Sequence, residues 1–246
     1  IPVDTYKNEI LAQVEKATGR EARIDGDFGI SLFPTVKFTA GKFSLANAKG
    51  GKADKMVSIE ELNVQVVIFS LISGNVVIDS FVLDKPVINL EVDVQGRPNW
   101  VFTPAAGADA GKAAPEKKDA APAKAGAGSG GLGILGLRLG DVRLVDGRIA
   151  YSDAKIGDFQ TVDAINMSVS LPSMTSPMAA KGSLVWNKEK IALVLGIDNP
   201  NAFLAGTQTG LNAAVTASTV KFDFKGKASS EPHIKASGSI DLDVPS

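Results

Sequence analysis

The feature that most constrains this chain is an alternation of apolar and polar residues with a period of two. From Val57 to Ile68, residues Leu62, Val64, Val66 and Ile68 share one side of an extended segment, and Glu61, Asn63, Gln65 and Val67 share the other. Successive side chains of a strand point to opposite faces, whereas a helix would spread these residues around its circumference. The pattern returns over Val76–Leu83 and over Val87–Val94, where Ile88, Leu90, Val92 and Val94 oppose Asn89, Glu91 and Asp93. Pro86 marks a break or an edge, because proline has no amide to give to a ladder. A chain written this way builds sheet, and one face of that sheet is apolar.

Ahead of the strands, Tyr6, Ile10, Leu11, Val14 and Ala17 recur at three- and four-residue spacing, with Asp4 placed to cap the start and Gly19 the end. This predicts one amphipathic helix. Asp25-Gly26, between Ile24 and the run Phe28, Ile30 and Leu32, is the strongest short hairpin signal in that region. Val36 and Phe38, then Phe43 and Leu45, read as another pair around Ala40-Gly41, Ala48–Asp54 reads as a loop, and Gln95-Gly96-Arg97-Pro98 as a turn. Residues 103–133 are Ala, Gly, Pro and Lys with no aromatic or β-branched residue after Thr103. Such a segment cannot offset its ordering entropy by burial and is predicted to be a disordered linker. Beyond it, strands are predicted at Ile134–Leu144, Arg148–Tyr151, Phe159–Leu171, Lys181–Trp186, Ile191–Ile197, Leu211–Phe224 and His233–Val244, with a short helical turn at Asn201–Leu204. The chain therefore divides into a helix-plus-sheet region (1–102), the linker (103–133) and a second β-rich segment (134–246) that continues the sheet. Ser80–Leu90 laid on Asp141–Tyr151 puts Leu83 on Leu144 and Ile88 on Ile149, a weak internal echo. It would suit a sheet lengthened by similar units.

Composition removes several functions. A formal net charge of −1 over 246 residues lacks the basic footprint of a nucleic-acid binder. With no cysteine, thiolate nucleophiles, Cys-based zinc sites, iron–sulfur clusters and disulfides fall together. The most apolar stretch, Val64–Ile78, is too short for a membrane helix and is broken by Ser73, Gly74 and Asn75. Because the chain opens on Ile1 rather than Met, an upstream segment is expected to have been removed, a signal peptide or membrane anchor being one candidate.

Places where chemistry could sit have blander readings. His233, the single histidine, lies near Ser229, Ser230, Ser237 and Ser239, yet reads as a surface strand residue after Pro232. Asp25-Gly26-Asp27 lacks the further ligands of a calcium loop, and Gly128–Gly136 lacks the strand and lysine of a phosphate loop. Paired carboxylates of a glycosidase are a spatial feature that sequence does not reveal. Trp100 and Trp186 read as core anchors rather than ligand-stacking rings. No catalytic residue, metal ligand or cofactor is assigned, and the chain is expected not to be an enzyme.

An ordered set of short motifs resembles a known family. Ala17-Thr18-Gly19-Arg20, Ile24-Asp25-Gly26, Phe33-Pro34, Leu45-Ala46-Asn47-Ala48, Ser73-Gly74, Leu83-Asp84-Lys85-Pro86, Asp93 and Gly96-Arg97-Pro98-Asn99-Trp100 are similar, in order and spacing, to the N-terminal region of the AsmA family of Gram-negative envelope proteins. After the linker, Leu144-Val145-Asp146-Gly147-Arg148-Ile149, Asp153, Leu171-Pro172 and Gly182–Trp186 continue the resemblance, which covers most of the chain. It implies a periplasmic body behind an inner-membrane anchor preceding Ile1. It also implies a long, curved, largely antiparallel sheet with an apolar concave face, an open groove or a folded-over one, related to bridge-like lipid-transfer proteins. The implied partner is phospholipid and the implied role is phospholipid transport toward the outer membrane and integrity of that membrane. On this reading Leu62, Val64, Val66, Ile68, Val76, Ile78, Ile88, Leu90 and Val92 are candidates for the groove lining, and Tyr6, Ile10, Leu11 and Val14 for a helix face that caps it. The residues suit either a groove or a covered core. A scaffold for outer-membrane protein assembly, binding envelope proteins through sheet edges without carrying lipid, is the alternative.

Overall fold

The computed structural model describes residues 3–32, 35–67, 77–102, 138–230 and 233–244. The predicted linker at 103–133 and the groove candidates Ile68 and Val76 lie outside the described residues. The described chain is mostly β: helix α1 (Val3–Thr18) leads into strands β1 (Ala22–Ile24), β2 (Phe28–Ser31), β3 (Val36–Ala46), β4 (Lys55–Val66), β5 (Val77–Asp84) and β6 (Val87–Val92). Strands β7 (Arg138–Asp153), β8 (Asp158–Leu171), β9 (Met178–Trp186) and β10 (Glu189–Ile197) follow, then helix α2 (Pro200–Leu204) and strands β11 (Thr209–Thr216), β12 (Lys221–Ser229) and β13 (Lys235–Asp243). All thirteen strands belong to one sheet, ordered β1-β3-β4-β5-β7-β8-β9-β10-β11-β12-β13, with β2 on β3 and β6 between β4 and β7.

Neighbours are antiparallel except at one seam, where β7 runs parallel to both β5 and β6. The internal echo of the sequence is the register of that seam. Ser80 stands beside Asp141, Leu83 beside Leu144 and Ile88 beside Ile149, the alignment the sequence suggested. The shared break is structural too. Lys85 and Asp146, side by side, both have left-handed backbone (φ 45° and 50°), and the ladder is rejoined around them by Lys85 N donating to Val145 O and Arg148 N donating to Pro86 O, both 2.8 Å.

These two kinks belong to a longer line. Lys42 (φ 53°) interrupts β3, and Ala164 (φ 48°) interrupts β8 where its register with β7 and β9 shifts. A bulge bends its strand and strengthens the local twist. Aligned across β3, β5–β6, β7 and β8, such irregularities bend the sheet along one line, as in sheets curved deliberately.

Four sequence expectations are corrected here, the first being the pair around Ala40-Gly41: Val36, Phe38, Phe43 and Leu45 lie in one strand, β3, kinked at Lys42 rather than turned back. Asp25-Gly26 does not turn β1 back on β2: both strands lie end to end along β3, with Gly26 N donating to Gly41 O and Gly41 N to Asp27 O. A Cβ on Gly26 would lie 2.8 Å from the Gly41 carbonyl carbon, so this glycine serves a close backbone crossing rather than a hairpin. The described part of Ile134–Leu144, from Arg138 on, and Arg148–Tyr151 are parts of one strand, β7, bent at Asp146. Leu211–Phe224 is a hairpin, β11 turning into β12 where Ala217 N donates to Val220 O at 2.8 Å. The helical turn is found as α2, with the Asn199 side chain accepting from Ala202 N.

Candidate functional site

Register places the apolar residues of every strand in rows that run across the sheet. One row passes through Phe38, Val64, Phe81, Val142, Val169, Ala180, Leu195, Ala213, Phe224 and Ile240, ten strands without a polar side chain. A second runs through Ala40, Leu62, Leu83, Leu144, Met167, Gly182, Leu193, Val215, Phe222 and Leu242. Past the bend, Ala22, Leu45, Val57, Ile88, Ile149, Val162 and Trp186 form a third. Nine strand spacings of about 4.8 Å make the longest rows about 43 Å along the sheet.

The opposite face is built differently. There Thr39, Asn63, Val82, Arg143, Ser168, Lys181, Val194, Ala214, Asp223 and Asp241 follow one another, and Arg143 pairs with Asp141 and Arg148 with Asp163. Val82, Val194 and Ala214 are its apolar exceptions.

Burial separates a trough from a core. Among the described residues no large side chain is fully enclosed. In the first strands the apolar face is covered: Ala22, Ile24, Val36, Ala40, Leu45, Ile59 and Val66 are buried. Farther on it opens, with most row residues half-buried and Leu195, Ile240 and Leu242 exposed at 36%, 65% and 60%. A second sheet packed on this face would bury such residues almost entirely.

The residues singled out from sequence fall on this face where they are described. Leu62 and Val64 sit in the two long rows, Val66 faces Ile78, Ile88 sits in the third row, and Leu90 stands beside Tyr151. Val92 ends β6, bridged to Pro98. Phe81 and Leu83 were not legible as members, because Asp79 is an extra residue against Gln65–Val66 and reverses the strand's phase. Helix α1 lies against β1 and β2 at the sheet's first edge. Its Leu11 and Val14 are half-buried while Tyr6 and Ile10 remain exposed.

The end of the sheet near β6 is tied by a polar cluster that sequence reading overlooked. Asn99 is buried, its Nδ2 donating to Asn47 Oδ1 and Asn89 O at 2.8 Å while its Oδ1 accepts from Glu91 N at 3.0 Å. Glu91 in turn accepts from the amides of Lys52 and Ala53. Asn99 thus stands in for the ladder that β4 no longer supplies beyond Lys55. Arg20 closes the corner, donating to Asn99 O, touching Met56 Sδ and lying over the Phe102 ring at 4.9 Å. Burial lowers its pKa. The cavity beside this cluster, about 480 Å³, is bordered by Gly50, Glu91, Asp93, Pro98 and Asn99, of which Glu91, Asp93 and Asn99 are already engaged in holding the loops.

Neither tryptophan is the buried anchor expected. Trp100 is 39% exposed and tilts against Tyr151 at 6.3 Å, and Trp186 is 44% exposed with its indole nitrogen on Gln160 Oε1. Trp186 ends the third row at the rim of the sheet, and Trp100 lies in the loop after β6; neither fills a centre. His233 is exposed. Among the described residues no three His, Asp or Glu side chains gather as a metal site, and no helix is long and apolar enough to cross a membrane.

Two comparisons, with curated proteins and with solved structures, find no match. The comparison with protein families does: the AsmA family matches residues 1–236.

Proposed function

The chain belongs to the AsmA family, a family of bacterial envelope proteins, and from that premise we propose that its apolar sheet face is a track for phospholipid acyl chains. In this reading the protein is the periplasmic part of an inner-membrane-anchored carrier. It supports movement of phospholipid toward the outer membrane and the integrity of that membrane, and it has no catalytic chemistry of its own.

The physical need is plain. At about 0.8 kcal/mol per CH₂, bringing two ordinary acyl chains into water costs on the order of 20 kcal/mol. A surface that keeps the chains dry removes most of that barrier. The observation that carries the reading is the pair of ten-strand apolar rows whose side chains, Ala40 and Phe224 apart, are half-buried or exposed. A row of about 43 Å is longer than one leaflet's share of a hydrocarbon core, about 15 Å. A chain on it therefore meets similar contacts at every strand and can slide without climbing a large barrier. The polar headgroup stays in water outside the trough, so no buried charge is required of the protein.

The test is to extract the protein gently from the cells that make it and quantify phospholipid per chain. Stoichiometric phospholipid supports the reading, and lipid-free protein overturns it. The rival reading, a scaffold for envelope proteins, draws on the exposed edge at β13. Cross-linking that captured envelope proteins and no lipid would favour it.

A further inference from the structure

The two ends of the strands, which form the long sides of the apolar face, differ in chemistry. One side is made by loops 47–54, 93–98 and 154–157 and by the β9–β10 turn. There the apolar face finishes in amphipathic rings. Trp100 tilts on Tyr151, Tyr151 stands opposite Gln160 in the β7–β8 ladder, and Gln160 Oε1 accepts from the indole of Trp186 at 3.4 Å. Both tryptophans keep part of their surface in solvent. Next to the rings come Lys52, which borders a cavity of about 430 Å³ together with Tyr151, and Lys188 in the turn that follows Trp186. Among the described residues neither ammonium has an ion pair, while Glu91, Asp153 and Glu189 on this side accept from loop amides or hydroxyls.

The opposite side is covered. α2 lies beside β11 and β12, with Asn201 N donating to Met174 O at 2.7 Å. Met174 is buried, and so are Leu171, Thr209, Phe224 and Ala228, which have the phase of the apolar rows.

Trp and Tyr have an apolar body and a polar tip, and they gather where a membrane passes from hydrocarbon to headgroup because both parts are satisfied there. A single phospholipid carries the same boundary at its glycerol esters. We propose that the rim of Trp100, Tyr151 and Trp186 is a binding site for the glycerol-ester region of a phospholipid, with the phosphate outside it toward Lys52 and Lys188 and the tails on the rows between the rim and α2. This rests on the carrier reading and gives it a direction: headgroups leave the trough over one side only. The dimensions agree. From Ala180 to Trp186 β9 runs for about 20 Å, and the tails of one leaflet span about 15 Å.

Trp100 and Trp186 are the two tryptophans of the chain, so its native indole emission reads this rim alone. The purified chain is loaded with phosphatidylcholine carrying bromines either next to the ester or next to the methyl end of a tail, and bound lipid is counted by phosphate assay. Bromine quenches indole on contact. The ester-side lipid is expected to remove most of the emission and the methyl-side lipid little of it. Phe203→Trp combined with Trp100→Phe and Trp186→Phe moves the reporter to α2, where the order is expected to reverse, with circular dichroism to confirm folding. Equal quenching by the two lipids in the native chain, stronger quenching from the methyl side, or the same order at both reporters overturns the proposal and leaves the carrier reading standing. A chain that binds neither lipid overturns both.

Discussion

Val169 and Ser168 are adjacent on β8 and face opposite ways, which makes them a matched pair for testing the apolar track. Val169 lies between Val142 and Ala180 in a long apolar row, and Ser168 lies between Arg143 and Lys181. Val169→Asp removes a half-buried side chain, so its cost to folding is about 1 kcal/mol, half of what full burial of a valine is worth. An acyl chain crossing one strand width of about 4.8 Å lays roughly four methylenes on it. Losing those contacts to a hydrated carboxylate, at about 0.8 kcal/mol each, costs about 3 kcal/mol, or roughly 100-fold in lipid retention. Ser168→Asp puts the same charge between two cations and leaves the track untouched. The assay is release of a fluorescent phospholipid from purified protein, with circular dichroism to confirm that both variants fold. Equal retention by two folded variants would refute the assignment of this face.

Other consequences concern the frame that holds the track. Asn99→Asp replaces a donor to Asn47 Oδ1 and Asn89 O with an acceptor. Unsatisfied groups of this kind cost about 1–3 kcal/mol each, so a loss of about 3 kcal/mol and a Tm lower by roughly 10 °C in calorimetry are expected. Asp93 is held below the usual carboxylate range chiefly by the Arg97 amide, helped by the Arg97 guanidinium and the Gln95 amide. A carboxylate lowered in the folded state stabilises fully above its unfolded pKa and loses that contribution as pH falls through its folded pKa. NMR titration of Arg97→Ala should therefore find Asp93 still lowered, since the amides remain, whereas a return to the ordinary value would assign the effect to the side chain instead.

The strands were legible because their alternation is local, and so was the break at Pro86, which follows from the missing amide. What joins the strands was not. The parallel seam between β5–β6 and β7 depends on a connection through residues 93–137, and sequence carried only its shadow, the echo of Leu83 with Leu144 and Ile88 with Ile149. Phe81 and Leu83 were missed because one bulged residue, Asp79, reverses the phase of everything after it. Asp25-Gly26 misled for a related reason: the dipeptide that suits a hairpin turn also suits a kink, and only the partner strand β3 decides. Asn99 had no periodic signal at all. Its value comes from loops 47–54 and 91–99 meeting in space. The tryptophans were misplaced because size predicts burial only where two layers meet, and among the described residues most of this apolar face has one layer.

The central claim is that the apolar rows are an open surface that touches lipid. Photo-cross-linking side chains placed singly at Phe81, Val169, Leu195 and Ile240, and at Asn63, Ser168, Lys181 and Asp223 on the other face, test it most directly in the envelope of living cells. The account predicts phospholipid adducts from the first set and none from the second. Equal labelling from both faces, or adducts to protein alone from the apolar rows, would contradict it.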